Sequence, residues 1–130
     1  MRTWVALSIA AAVLASAAVT SAHHSFAATY DESTTITIKG KMVQFSFRNP
    51  HSFVQVEVVE DGKKVRWAVE WAGTTQLADA GVQGDTLKYG DEVEVTGNPG
   101  RDPSQHRLRM RTVKRPDGFS WGTRPDEIVD

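Results

Sequence analysis

The stretch Ser33–Arg48 reads STTITIKGKMVQFSFR, and its spacing decides the predicted fold. Apolar residues recur at every second position, which is typical of a strand with one buried face. They fall into two phases, the first with Ile36 and Ile38 and the second with Val43, Phe45 and Phe47. The phase changes around Gly40–Met42, and a glycine beside such a change indicates that a long strand bends or bulges there.

Four further runs show the same two-residue period. They read SFVQVEVVE (52–60), KKVRWAVEW (63–71), DEVEVTG (91–97) and HRLRMRTVK (106–114). Asp61-Gly62 predicts a tight hairpin between the second and third strands. After the third strand, Thr74 or Thr75 is expected to cap a short helix that ends at Gly81.

Three strands, one short helix and two strands follow one another in the order of an OB-fold, the five-stranded Greek-key barrel. A small sandwich or another barrel could also use five strands, but the helix between the third and fourth strands favours the OB-like barrel. We therefore predict an all-β fold with one short helix. The segment after the last strand is expected to form an extended tail, with Phe119 and Trp121 docked on the barrel.

The first residues of the chain have the pattern of a secretory signal. Met1–Ala22 carries one cation, then an apolar run, then small residues. A cut after Ala22 is preferred, although the small residues also fit a cut after Ala17. We predict that residues 1–22 are a signal peptide and that residues 23–130 form one periplasmic domain, not embedded in the membrane after processing.

Composition excludes several functions. The formal charge is −1, and loss of Arg2 with the signal makes it more acidic, so nucleic acid is not expected as a partner. The absence of cysteine excludes disulfides and thiolate metal sites. No nucleophile elbow and no nucleotide-binding fingerprint is present. A small exported binding or accessory module, without catalytic machinery of its own, is therefore expected.

Four short motifs together suggest a family. They read HHSFAATYD (23–31), RNPHSF (48–53), WAVEW (67–71) and LKYGDEVEVTG (87–97). In order and spacing they resemble a family of small exported bacterial proteins that is classed as a domain of unknown function. The resemblance implies export and a small β-rich domain, and it implies no activity and no catalytic residues. In that family the residue after WAVE is commonly small, whereas this chain has Trp71 there.

Two of the four histidines directly follow the predicted cleavage site. Cleavage after Ala22 would give His23 a free α-amine beside its imidazole, a chelate that suits Cu(II). A second imidazole would complete the three-nitrogen arrangement known as a histidine brace. His51 is the preferred second arm and His24 its substitute, because adjacent side chains of an extended segment point apart. A cut after Ser21 would also create a copper site, with a histidine at the third position.

The histidines also have a plain structural interpretation. A histidine pair at the start of a chain can be a spacer, and His51 beside Pro50 can simply bond the backbone of the turn. Zinc is disfavoured, because a structural zinc site uses four ligands and the chain has no cysteine. A redox enzyme built on the brace is a weaker hypothesis. Asp31 or Glu32 could add an oxygen ligand.

An arginine stripe supports a competing hypothesis without metal. Arg107, Arg109 and Arg111 share one face of the predicted last strand. Such a face fits a protein-interaction or anion-binding module, with a periplasmic protein or a small anionic ligand as partner. The alternative is that the arginines are solvated and pair across the strand with acids such as Glu92 or Glu94.

Three tryptophans offer a possible aromatic platform for a sugar or a quinone. They are Trp67, Trp71 and Trp121. The first two share the phase of the valines in their strand, which favours core packing for both.

Overall fold

The alternating runs form strands in the computed structural model, which describes residues 26–122. In chain order the elements are β1 (Ile36–Ser46), β2 (Phe53–Glu60), β3 (Lys63–Glu70), α1 (Thr74–Asp79), β4 (Glu92–Pro99), a 3-10 helix (Pro103–Gln105), β5 (Arg107–Lys114) and β6 (Ser120–Gly122). Residues 26–29 are also helical. The predicted signal peptide lies outside the described residues.

The sheet closes on itself. The strands follow the order β3-β2-β1-β4-β5-β6, and β3 also pairs with β5 in parallel, from Ala68 opposite Arg107 to Glu70 opposite Arg109. The first five strands therefore form a closed barrel, which confirms the predicted small OB-like fold. The short strand β6 extends the sheet along β5, so the predicted tail begins as a strand.

The bend in β1 lies slightly later than the sequence predicts. The register of β1 against β2 shifts between Met42 and Gln44, so Val43 is the extra residue of the bulge. Met42 is buried, whereas Val43, which the sequence groups with Phe45 and Phe47, is half-buried. Gly40 has another role, since a Cβ there would lie 2.2 Å from the carbonyl oxygen of Glu57. Only glycine lets the two backbones approach so closely.

The barrel interior is filled by the inward side chains of the strands. They are Ile38, Met42, Val54, Val56, Val58, Val69, Val93, Val95, Leu108, Met110 and Val113. Leu77 of α1 and Trp71, which directly follows β3, close one end of this core. Trp121 and Phe119 pack against it from the last segment, as predicted.

The turns match the sequence with one exception. Asp61 and Gly62 have φ angles of 48° and 76°, which suits the predicted tight hairpin. Gly81, with a φ of 80°, follows the end of α1. Neither threonine caps this helix, because its N-cap is Gly73, and the backbone N–H of Thr74 instead donates to the side-chain oxygen of Asn49 at 2.9 Å. Among residues 26–122, no helix has the length and apolar character needed to cross a membrane.

Candidate functional site

A buried carboxylate at the end of β3 organises one end of the barrel. Glu70 is 8% exposed. Its Oε2 accepts a hydrogen bond of 2.5 Å from the hydroxyl of Tyr30, and its Oε1 lies 2.6 Å from Nδ1 of His51. A guanidinium nitrogen of Arg107 lies 3.7 Å from Oε2. We call these four side chains the Glu70 network.

Three separate motifs of the sequence meet in this network. Tyr30 comes from HHSFAATYD, His51 from RNPHSF and Glu70 from WAVEW. Backbone hydrogen bonds hold these segments in place. Tyr30 forms a β-bridge with Gly100, beside β4. The turn that carries His51 is fixed by hydrogen bonds between Ser52 and the backbone that follows β3.

The contact with Glu70 sets the proton position on His51. A carboxylate only accepts hydrogen bonds, so Nδ1 of His51 must carry the proton that it shares with Oε1 of Glu70. In the neutral ring the lone pair then lies on Nε2. The side chain is 37% exposed, so this second nitrogen belongs to a partly accessible ring. A carboxylate behind one ring nitrogen is the usual arrangement of a histidine that binds a metal through the other.

An aromatic ring from the N-terminal segment covers the imidazole. The rings of Phe26 and His51 stack with centroids 5.2 Å apart. The guanidinium of Arg109 lies 4.0 Å from the centroid of Phe26. The chain at Phe26 is therefore held against His51.

The hydroxyl of Tyr30 is a buried member of the network. Its side chain is almost fully buried, with 1% of the residue exposed. Burial raises the pKa of the Tyr30 hydroxyl well above its usual range, and the hydrogen bond to the negative Glu70 raises that pKa further. The hydroxyl therefore stays protonated and acts as a fixed donor to Glu70.

The arginine stripe is divided between different partners. Arg107 lies at Glu70, and Arg109 pairs with Glu32 at 2.6 Å. Arg111 donates through Nε to the side-chain oxygen of Asn98 at 2.8 Å. The predicted pairing with Glu92 or Glu94 across the strand does not occur in the structure, where Lys39 is the ion-pair partner of Glu94 at 3.0 Å.

A cleft of about 580 Å³ opens beside the Glu70 network. We call it the indole cleft, after two of its lining residues, and its walls include Phe26, His51, Trp71, Arg109, Arg111 and Trp121. The rings of Trp71 and Trp121 meet edge to face with centroids 5.1 Å apart. Trp67 lies elsewhere, against His106, so the structure brings together two of the three tryptophans of the predicted platform.

The comparison with family models settles the relationship. The model described as Family of unknown function (DUF6152) matches residues 10–109. The chain belongs to this family. The match confirms the resemblance to a domain of unknown function. No curated protein matches the chain.

Of the three predicted metal-binding histidines of this DUF6152 member, only His51 lies in the described residues. His23 and His24 lie outside the described residues. Within residues 26–122, no group of three or more histidine and acidic side chains is arranged to hold a metal ion. Asp31 is engaged with Ser33 and Thr34, which lowers the pKa of its carboxyl through hydrogen bonds. A metal at His51 would therefore need a ligand from outside the described part of the chain.

Sequence reasoning missed Glu70 and Tyr30. Glu70 stands between Val69 and Trp71 in an alternating run, and this position predicts a solvated side chain. It is buried because Tyr30 of the N-terminal segment and Arg107 of β5 lie against its carboxylate. The available signal was that Tyr30 and Glu70, like His51, each stand inside a motif that carries the family resemblance.

Proposed function

We propose that this protein is a small exported module that binds Cu(II) through His23, with His51 as the second arm. The proposal rests on removal of the signal after Ala22, which frees the α-amine of His23. The observation that carries it is the hydrogen bond from Nδ1 of His51 to Glu70, which leaves Nε2 as the nitrogen that can bind a metal. Imidazole and amine nitrogens are ligands that Cu(II) prefers.

Chain length supports the pairing of these two histidines. His23 precedes Phe26 by three residues, and three extended residues span at most about 11 Å. Phe26 stacks on the ring of His51. An amine and an imidazole at position 23 are thus within chain reach of the His51 side chain, which is 37% exposed. His24 remains the substitute ligand.

The Glu70 network would tune such a site. Glu70 orients the imidazole and increases the electron density on Nε2, and partners of this kind commonly change metal affinity by about 10- to 100-fold. Tyr30 and Arg107 hold Glu70 in turn. The protein would supply a pre-oriented second ligand, so that little conformational freedom is lost when the metal binds.

Calorimetric titration with Cu(II) tests this proposal on protein that begins at His23. We expect His51→Ala and His23→Ala each to weaken binding by about tenfold or more. His106→Asn is the matched control, because His106 lies against Trp67 and asparagine tolerates its φ of 47°. A chain that begins at Ala18 should lose the chelate, because His23 is then the sixth residue and no histidine lies among the first three. Unchanged affinity in both alanine variants would overturn the proposal.

A further inference from the structure

We propose that the indole cleft binds a small organic anion, a carboxylate attached to a flat apolar body. This second site uses Arg111, Trp71 and Trp121 and does not depend on copper. The cleft has room for such a ligand, since its volume of about 580 Å³ lies within the range of small-molecule sites.

Arg111 supplies the charge for this site. Its Nε donates to Oδ1 of Asn98, and Asn98 is 2% exposed. The amide nitrogen of Asn98 donates in turn to the carbonyl of Thr34 at 2.8 Å, which fixes the direction of Oδ1. A buried neutral amide therefore orients Arg111 and leaves its positive charge unneutralised. None of the ion pairs among residues 26–122 includes this arginine.

The other charged groups of the cleft are already paired. A guanidinium nitrogen of Arg109 lies 2.6 Å from a carboxylate oxygen of Glu32, and the guanidinium also lies over the ring of Phe26. Glu70 is surrounded by the donors of its own network, and only 10% of its side chain is exposed. Neither group neutralises Arg111. The local electrostatics of the cleft therefore favour an anion, and the planar guanidinium favours a carboxylate, which it can bind through two parallel hydrogen bonds.

The indole rings define the remainder of the ligand. Trp71 and Trp121 form an edge-to-face pair in the wall of the cleft beside Arg111, and Trp121, the more exposed of the two, offers the flat apolar surface. The Nε1–H of Trp71 is buried and has no acceptor within the described part of the chain. This N–H is closed to solvent, so it does not bond a ligand directly, and its signal reports on the wall that Trp71 forms.

Nuclear magnetic resonance of the indole N–H groups tests the proposal on metal-free protein without its signal, with a chelator present. Benzoate is the probe, benzyl alcohol supplies the ring without the charge, and acetate supplies the charge without the ring. We expect benzoate to shift the signals of Trp71 and Trp121. Trp67 is an internal control, because its Nε1 donates to Glu60 outside the cleft and should not respond.

Two variants complete the experiment. Arg111→Gln should weaken benzoate binding by about tenfold, because the neutral amide cannot form the charge-assisted pair. Arg66→Gln should leave it unchanged, since Arg66 is exposed on β3 and does not line the cleft. Equal binding of benzoate and benzyl alcohol, an equal response of Trp67, or unchanged affinity in Arg111→Gln would each overturn the proposal. So would a dissociation constant weaker than about 10 mM for benzoate.

Discussion

Two polar networks tie the barrel together, and they differ in what they leave free. The Glu70 network converges on a buried acid and ends in an imidazole that is 37% exposed. The second network converges on Arg115, which donates to the carbonyl of Thr86 at 2.7 Å and to the carboxylates of Asp91 and Asp117 at 2.9 Å. We call it the Arg115 network. Its partners lie in the loops before β4 and after β5.

The Arg115 network acts as a structural clamp. Asp91 also accepts from the backbone of Lys88, and Asp117 accepts from the backbone of Phe119. Arg115 lowers the pKa of the Asp117 carboxyl by direct hydrogen bonding. The network joins the loop before β4 to the turn between β5 and β6. A cluster of charged side chains therefore does not by itself indicate a functional site. The Glu70 network differs from the Arg115 network because it orients Nε2 of His51 without bonding that nitrogen.

The largest expected effect comes from Glu70→Gln. The change removes a buried charge that Tyr30, His51 and Arg107 share, and we expect the free energy of unfolding to fall by about 2–4 kcal/mol. Copper affinity should fall by about 10- to 100-fold, because His51 loses its carboxylate partner. Chemical denaturation and Cu(II) calorimetry measure the two effects.

Glu57→Gln is the matched control for this change. Glu57 pairs with Lys64, whose side chain is 74% exposed, so its loss should change the free energy of unfolding by less than about 1 kcal/mol. Equal destabilisation by the two substitutions would contradict the distinction between a buried network and surface pairs.

An intermediate effect is expected from Arg115→Met. The substitution keeps much of the apolar stem and removes the hydrogen bonds to Thr86 and Asp91, which should lower the free energy of unfolding by about 1–2 kcal/mol. Copper affinity should not change, since the Arg115 network does not contact His51. Loss of copper binding in this variant, with the fold intact, would show that the two networks are coupled.

The same variant has a predicted pH signature. The pKa of Asp117 is depressed in the folded state, so its contribution to stability is present above the unfolded pKa and is lost as pH falls through the folded value. Arg115→Met should therefore reduce the acid dependence of unfolding. Denaturation curves between about pH 2 and pH 5 measure this slope.

The fold could be predicted from the sequence because it depends on local patterns. Period-two runs, the turn at Asp61-Gly62 and the helix position predicted the closed barrel. The bulge was misplaced by one or two residues, because Met42 and Val43 are both apolar and periodicity does not distinguish them. Tertiary pairing decided which one is buried.

The candidate site could be predicted from the sequence only in part. His51 and the arginines were recognisable by residue type, but Glu70 and Tyr30 are 40 residues apart in the chain. Their contact depends on closure of β3 against β5 and on the bridge between Tyr30 and Gly100. Strand alternation does not reveal that a neighbouring segment covers the polar face of β3. For this reason the two residues that orient His51 were not predicted.

The smallest expected effect, from Tyr30→Phe, is the sharpest test of burial in the Glu70 network. At neutral pH the lost hydrogen bond should lower the free energy of unfolding by about 1 kcal/mol. The pKa of Tyr30 is raised in the folded state, so its contribution to stability is complete below the unfolded pKa, near pH 10, and declines as pH rises further. For such a group the free energy of unfolding declines by about 1.4 kcal/mol per pH unit. The Tyr30→Phe variant does not show this decline, because phenylalanine does not titrate.

Unfolding curves of the native protein and Tyr30→Phe should therefore converge between about pH 10 and pH 11. Tyr89→Phe is the matched control, because Tyr89 is 82% exposed and its loss should leave the alkaline slope unchanged. Parallel curves for the native protein and Tyr30→Phe would mean that water reaches the Tyr30 hydroxyl. Glu70 would then lose the fixed donor that holds it behind His51, and the contrast with the Arg115 network would disappear.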